Sequence, residues 1–142
     1  MSEPLATPPD DGALEIRRLL TAPNPAFERG AHKLANALPR GLWTESRPKL
    51  RLAVDPAVLD GLKQLRSAYR ALWSRIDAID TDRQVAKRHV LEAIDLLSAS
   101  FVLLLNSAQA TSYSSGRWAL KEAKARQARG SAMLKQALKE LA

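Results

Sequence analysis

Apolar side chains recur at helical spacing through most of this chain, most densely between Asp82 and Gln109. At about 100° per residue, Ala86, Val90, Ala93, Ile94, Leu97, Phe101, Leu104 and Ala108 share one face, and Val85, Leu96 and Leu103 form a second stripe beside it. The two stripes together take up more than half the circumference, which predicts a core helix packed on several sides. The stretch is expected to be too short, and too interrupted by Asp95, Ser98, Ser100 and Asn106, to cross a membrane.

Before it, Val58, Leu62, Leu65, Tyr69, Leu72, Ile76 and Ile79 alternate at spacings of four and three, the a and d seam of a bundle or coiled coil. Asp55-Pro56 opens this helix as a cap followed by proline, and Trp73 flanks the seam. Asp80-Thr81-Asp82 ends it and caps the central helix, so the two are expected to run antiparallel through a short turn. The polar connection 110–116 leads to a last helix ending at Leu141. Its apolar side is Ala119, Leu120, Ala123, Gly130, Leu134, Ala137, Leu138 and Leu141, small at first and leucine-rich later. The seam could be covered within the chain or by a second copy.

The first half of the chain is less regular. Residues 1–11 hold prolines and acids with little to bury, and are expected to form a mobile tail ahead of one domain spanning 12–142. Asp10 or Asp11 can cap a short helix from Ala13 to Leu20. Asn24-Pro25 opens a second short helix to about Leu38, with Phe27, Ala31, Leu34 and Leu38 on its buried edge. In residues 42–54, Lys49 to Val54 alternate as a strand would, but no second strand is available to pair with them. An extended clip laid over the bundle by Leu50, Leu52 and Val54 is the expectation. The fold class is therefore all-α: an antiparallel bundle of three long helices, with one or two short N-terminal helices and a clip.

Composition narrows the chemistry. The 142 residues suit one domain with its own core. There is no cysteine, which excludes disulfides and thiolate metal sites. The opening residues have neither a basic start nor an apolar run, so a cytoplasmic protein without a membrane anchor is expected. The net charge is +7, and residues 110–142 carry seven basic against two acidic side chains. Such asymmetry points to a polyanionic partner, although a solvated face has the same composition.

On a wheel of the last helix, Arg117, Lys121, Lys124, Lys135 and Lys139 fall within an arc of about 60°. Ala128 and Ser131 keep its middle small, and no acid lies on it; Glu122 and Glu140 sit about 100° away, where Glu122 can pair with Arg126. Such a row, roughly 33 Å long, can track the phosphate backbone of RNA or single-stranded DNA without reading sequence. Arg40, Arg47, Lys49 and Arg51 give the clip a basic character beside Trp43, and a basic segment with an aromatic can bind phosphates and stack a base. The plainer reading puts Trp43 in the core and the arginines in water.

No cofactor is implied, and no metal site: the histidines, His32 and His89, lack the Glu-x-x-His spacing of di-metal bundles. No phosphate-cradling glycine loop, nucleophile elbow or acid pair occurs. The stretch from Arg83 to His89 has the form Arg, five residues, His, and resembles the catalytic motif of the HEPN family of small all-helical ribonucleases. That resemblance implies that Arg83 and His89 from two subunits would flank a scissile phosphate. Read from its neighbours, His89 lies beside Val85, Ala93 and Leu96 on the second stripe, the setting of a packed, hydrogen-bonded histidine.

In size, helical class and the basic face from Arg117 to Lys139, the chain resembles the small helical subunits of CRISPR effector complexes. This implies a non-enzymatic subunit, present in several copies, that contacts nucleic acid with other proteins of the complex. The alternative is a protein-interaction module of the antitoxin, immunity or adaptor kind, whose basic face meets an acidic protein.

Overall fold

The structure, a computed structural model, describes residues 10–22, 24–25, 29–30, 56–109 and 112–142. The tail before Asp10, the clip with Trp43, Arg47, Lys49 and Arg51, and most of the second short helix lie outside the described residues, although Pro25, Arg29 and Gly30 are helical.

Four helices follow among the described residues: α1 (Asp11–Thr21), α2 (Pro56–Asp77), α3 (Gln84–Gln109) and α4 (Tyr113–Leu141). No strand occurs among these residues, and the chain is all-α. The helix ends differ from the expected ones where side chains take over main-chain groups. Asp10 is the N-cap of α1, its carboxylate accepting the Ala13 N–H at 3.0 Å, so α1 starts at Asp11 and absorbs the end of the expected tail. Thr81 Oγ1 accepts the Arg83 N–H, which delays α3 to Gln84. Ser112 caps α4 by accepting the Ser115 N–H, so Ser114, Ser115 and Gly116, expected in a connection, are helical.

Neighbouring long helices run antiparallel. Between α2 and α3, Lys87 reaches the Asp77 carbonyl, Arg70 meets Asp95, and Tyr69 stacks on Phe101 with centroids 5.5 Å apart. Between α3 and α4, Arg83 reaches Glu140, Leu97 lies against Gly130, and Ser107 donates to the Gly116 carbonyl. In both series one number rises as the other falls.

α3 is central, with α2 and α4 packed against it. α1 touches both α2 and α4, lying over the groove between them. There Ile16, with no exposed surface, joins Leu72, Ile76, Val90, Ile94, Ala137 and Leu141 in one core cluster. A second cluster, Leu62, Leu65, Phe101, Leu103, Leu104, Leu105 and Ala123, fills the other end. Each fully buried aliphatic side chain here contributes about 1.5–3 kcal/mol.

From Leu62 onward the seam of α2 is covered within one chain: Leu62, Leu65, Leu72 and Ile76 are buried, and Tyr69 and Ile79 half-buried. The first stripe of α3 is buried from Ala86 to Leu104. The second stripe is uneven, because Leu103 is buried while Val85 is 54% exposed. α1, α2 and α4 close over the opposite flank at that end, and no described element covers Val85.

By length and composition the stretch Gln84–Ser107 is in fact long and apolar enough to cross a membrane, which corrects the expectation that it is too short and too interrupted. In the bundle, 61% of its most apolar 18 residues are buried, and its polar interruptions are partly satisfied inside: Ser100 Oγ donates to the Leu97 carbonyl and Ser107 Oγ to that of Gly116.

Candidate nucleic-acid interface

The rotation of α4 about its own axis decides what it shows to water, and small residues fix that rotation. Gly116, Ala119, Ala123, Gly130 and Ala137 are buried. A Cβ added at Gly130 would stand 3.0 Å from Leu97 Cγ and 3.2 Å from the Ala93 carbonyl oxygen, so α3 and α4 approach here as closely as their backbones allow.

The far end of α4 is clamped. Arg83 Nη1 donates to the main-chain oxygens of Glu140 and Ala142, each at 2.7 Å, which places a cation on carbonyls that helix geometry leaves unpaired. His89 Nδ1 lies 2.9 Å from Glu140 Oε2. Lys87 performs the same service for α2, donating to the Asp77 and Ile79 carbonyls. The start of α3, with Arg83 just before it and Lys87 in its first turn, thus holds the ends of both neighbours.

With α4 seated this way, Arg117, Lys121, Lys124, Lys135 and Lys139 are all exposed. None of the five forms an ion pair among the described residues. The acids of α4 are engaged elsewhere: Glu140 with His89, and Glu122 with Arg126 at 4.0 Å, the outer limit of an ion pair. Ala128 and Ser131 are exposed in the middle of the row and leave it low, and Arg129 is exposed about 80° beyond Lys121. The structure therefore brings five of the seven cations of the last helix onto one open face.

Reading the sequence by its charges missed Trp118, whose residue is 61% exposed beside Arg117 and one turn before Lys121. The signal was available: on the wheel Trp118 falls about 100° from Arg117, well off the Ala119–Ala123–Gly130 face.

Arg83 and His89, the pair resembling a ribonuclease motif, are both turned to the end of α4. The imidazole is half-buried and hydrogen-bonded, as its neighbours predicted, but lies toward the rim of the core. Among the described residues no group of three or more His, Asp or Glu side chains is placed to hold a metal ion. A cavity of about 420 Å³ is lined, among the described residues, by Arg29, Lys63, Gln64, Ser67 and Ala68.

Comparison with protein-family models, curated proteins and solved structures returns no match. The reading of the site therefore rests on its own geometry.

Proposed function

We propose that the chain is a non-enzymatic helical subunit that lays the outer face of α4 along a nucleic-acid backbone, RNA or single-stranded DNA, within a larger ribonucleoprotein. One observation carries the reading: five exposed cations on one arc of α4, free of acids and unpaired among the described residues. A cation paired within its own protein must give up that partner to meet a phosphate, and these need not. The packing of α4 on α3 adds support, because it fixes the backbone that carries the row before any ligand arrives and leaves only the side chains to be ordered on binding. Size, helical class and this face are also what the chain has in common with the small subunits of CRISPR effector complexes, and such a subunit would sit beside further protein partners.

The test is fluorescence anisotropy with a labelled single strand of about 30 nucleotides, titrated at several salt concentrations. If the row neutralises five phosphates, log Kd plotted against log salt has a slope of about 3.5 on a single strand. No binding at low salt would sink the reading and turn attention to an acidic protein partner.

A further inference from the structure

Among the described aromatic residues, Trp118 is set apart. Tyr69 and Phe101 stack on each other in the core, and Trp73 is half-buried with the Arg70 guanidinium 5.2 Å from its ring centroid. Trp118 is 61% exposed, and no described ring or cation stacks on it. A single surface apolar residue needs no explanation by itself. The company of this one asks for a reason.

Arg117 precedes it, Lys121 stands one turn on, and Ser114 and Ala125, one turn back and two turns on, are small and exposed. Glu122 lies on the side away from the cations and is turned toward Arg126. Arg117 and Lys121 therefore flank the indole on the side of the arc, small side chains leave room over it, and Glu122, about 40° away on the wheel, is drawn toward Arg126. A flat ligand can reach the ring, and an anionic one gains from the approach.

We propose that Trp118 is a stacking platform for an unpaired base, which makes the basic face of α4 a site for single strands over duplexes. The inference rests on the reading of the face as a backbone contact and adds the mode of recognition. Phosphates alone do not distinguish the two forms, because both present a row of negative charge. A base paired within a duplex has its faces covered by its neighbours, whereas a base in a strand can turn one face to an indole. Every base has such a face, so the site would be tolerant of sequence.

The experiment compares wild type, Trp118→Ala and Trp118→Phe on three labelled probes: an unstructured oligothymidylate of about 30 nucleotides, an abasic strand with the same number of phosphates, and a duplex. Trp118→Ala is expected to weaken binding to the oligothymidylate by roughly 5- to 150-fold, the range that loss of one stacked base gives. The salt slope should stay unchanged, since no phosphate contact is lost, and affinity for the abasic strand and the duplex should stay within about twofold. Trp118→Phe should retain part of the difference. The ring is exposed, so the urea midpoint of each variant should match wild type.

Equal losses on all three probes, or no loss on the oligothymidylate, would overturn the stacking role. If in the same experiment Lys121→Glu with Lys124→Glu still abolished binding, the backbone reading would survive that result. If wild type bound none of the probes, the backbone reading would fail and the stacking role with it.

Discussion

Replacing Gly12 by alanine asks whether α1 lies where the structure puts it. In an isolated helix this change stabilises by about 1 kcal/mol, because alanine has less backbone freedom to lose. Here the added Cβ would sit 1.8 Å from the Asp80 carbonyl oxygen and 2.8 Å from its carbon, both backbone atoms of the α2–α3 turn. No rotamer change relieves a clash with backbone, so α1 has to lift by more than an ångström. Lifting it uncovers Ile16, which has no exposed surface, and Ala13, at 2%. It also stretches the hydrogen bonds from Thr81 Oγ1 and the Asp82 N–H to Asp10.

Loss of most of the Ile16 burial costs about 1.5–3 kcal/mol, and the hydrogen bonds about 1 more. Set against the propensity gain, the net destabilisation is about 1.5–3 kcal/mol. Urea unfolding followed by circular dichroism would show it as a midpoint lowered by about 1 M for a typical slope. The reverse exchange at an exposed helical position, Ala128→Gly on α4, should also destabilise, by about 1 kcal/mol, from propensity alone. A Gly12→Ala midpoint equal to or above that of wild type would refute the placement of α1 against the turn.

Asp10 links the same elements electrostatically: the hydrogen bond from Thr81, then those from Ala13 and Asp82 with the charge of Arg83, hold its carboxyl below the ordinary value of 3.8 despite some desolvation. A lowered folded-state value gives stability that is present above pH 3.8 and lost as pH falls through the folded value, so Asp10→Asn should flatten the acid limb of thermal stability; parallel acid limbs would contradict the link. Arg83→Ala should fray the last turn of α4, seen as faster amide exchange near its C-terminal end. Its cost in global stability is under about 1 kcal/mol, because the contact is exposed; unchanged exchange would count against the clamp. His89→Ala should loosen the same end, and a strand-cleaving activity of wild type that this change abolishes would contradict the non-enzymatic reading.

Much of the fold was legible because its driving force is periodic. The seam of α2 and the first stripe of α3 are runs of large aliphatic residues at helical spacing, and they are buried as their spacing requires. The small first half of the apolar side of α4 was legible too, and at Gly130 the structure uses it for a close approach to α3. What escaped was either local chemistry that overrides composition or contact across long separations. Ser114, Ser115 and Gly116 have the composition of a loop, yet the Ser112 cap and the bond from Ser107 to the Gly116 carbonyl make them a first turn.

The hydrogen bond from Thr81 to Asp10 joins residues 71 apart, and no local pattern encodes it. Val85 followed the periodicity of α3 but lies where no described neighbour covers it. For the candidate site, the cationic row was legible because an exposed arc needs only to avoid the apolar one. Trp118 was missed because the charges were read alone.

The most direct measurement compares two charge-reversed proteins on the labelled strand. In one, Lys121, Lys124, Lys135 and Lys139 become Glu; in the other, the exposed cations Lys63, Arg66, Arg75 and Arg88 do. Both changes take the formal net charge from +7 to −1. If α4 carries the interface, the first variant loses binding at low salt, while the second keeps most of its affinity and a salt slope near that of wild type. Equal losses in the two would mean that net charge alone drew the strand, and would contradict a site on α4.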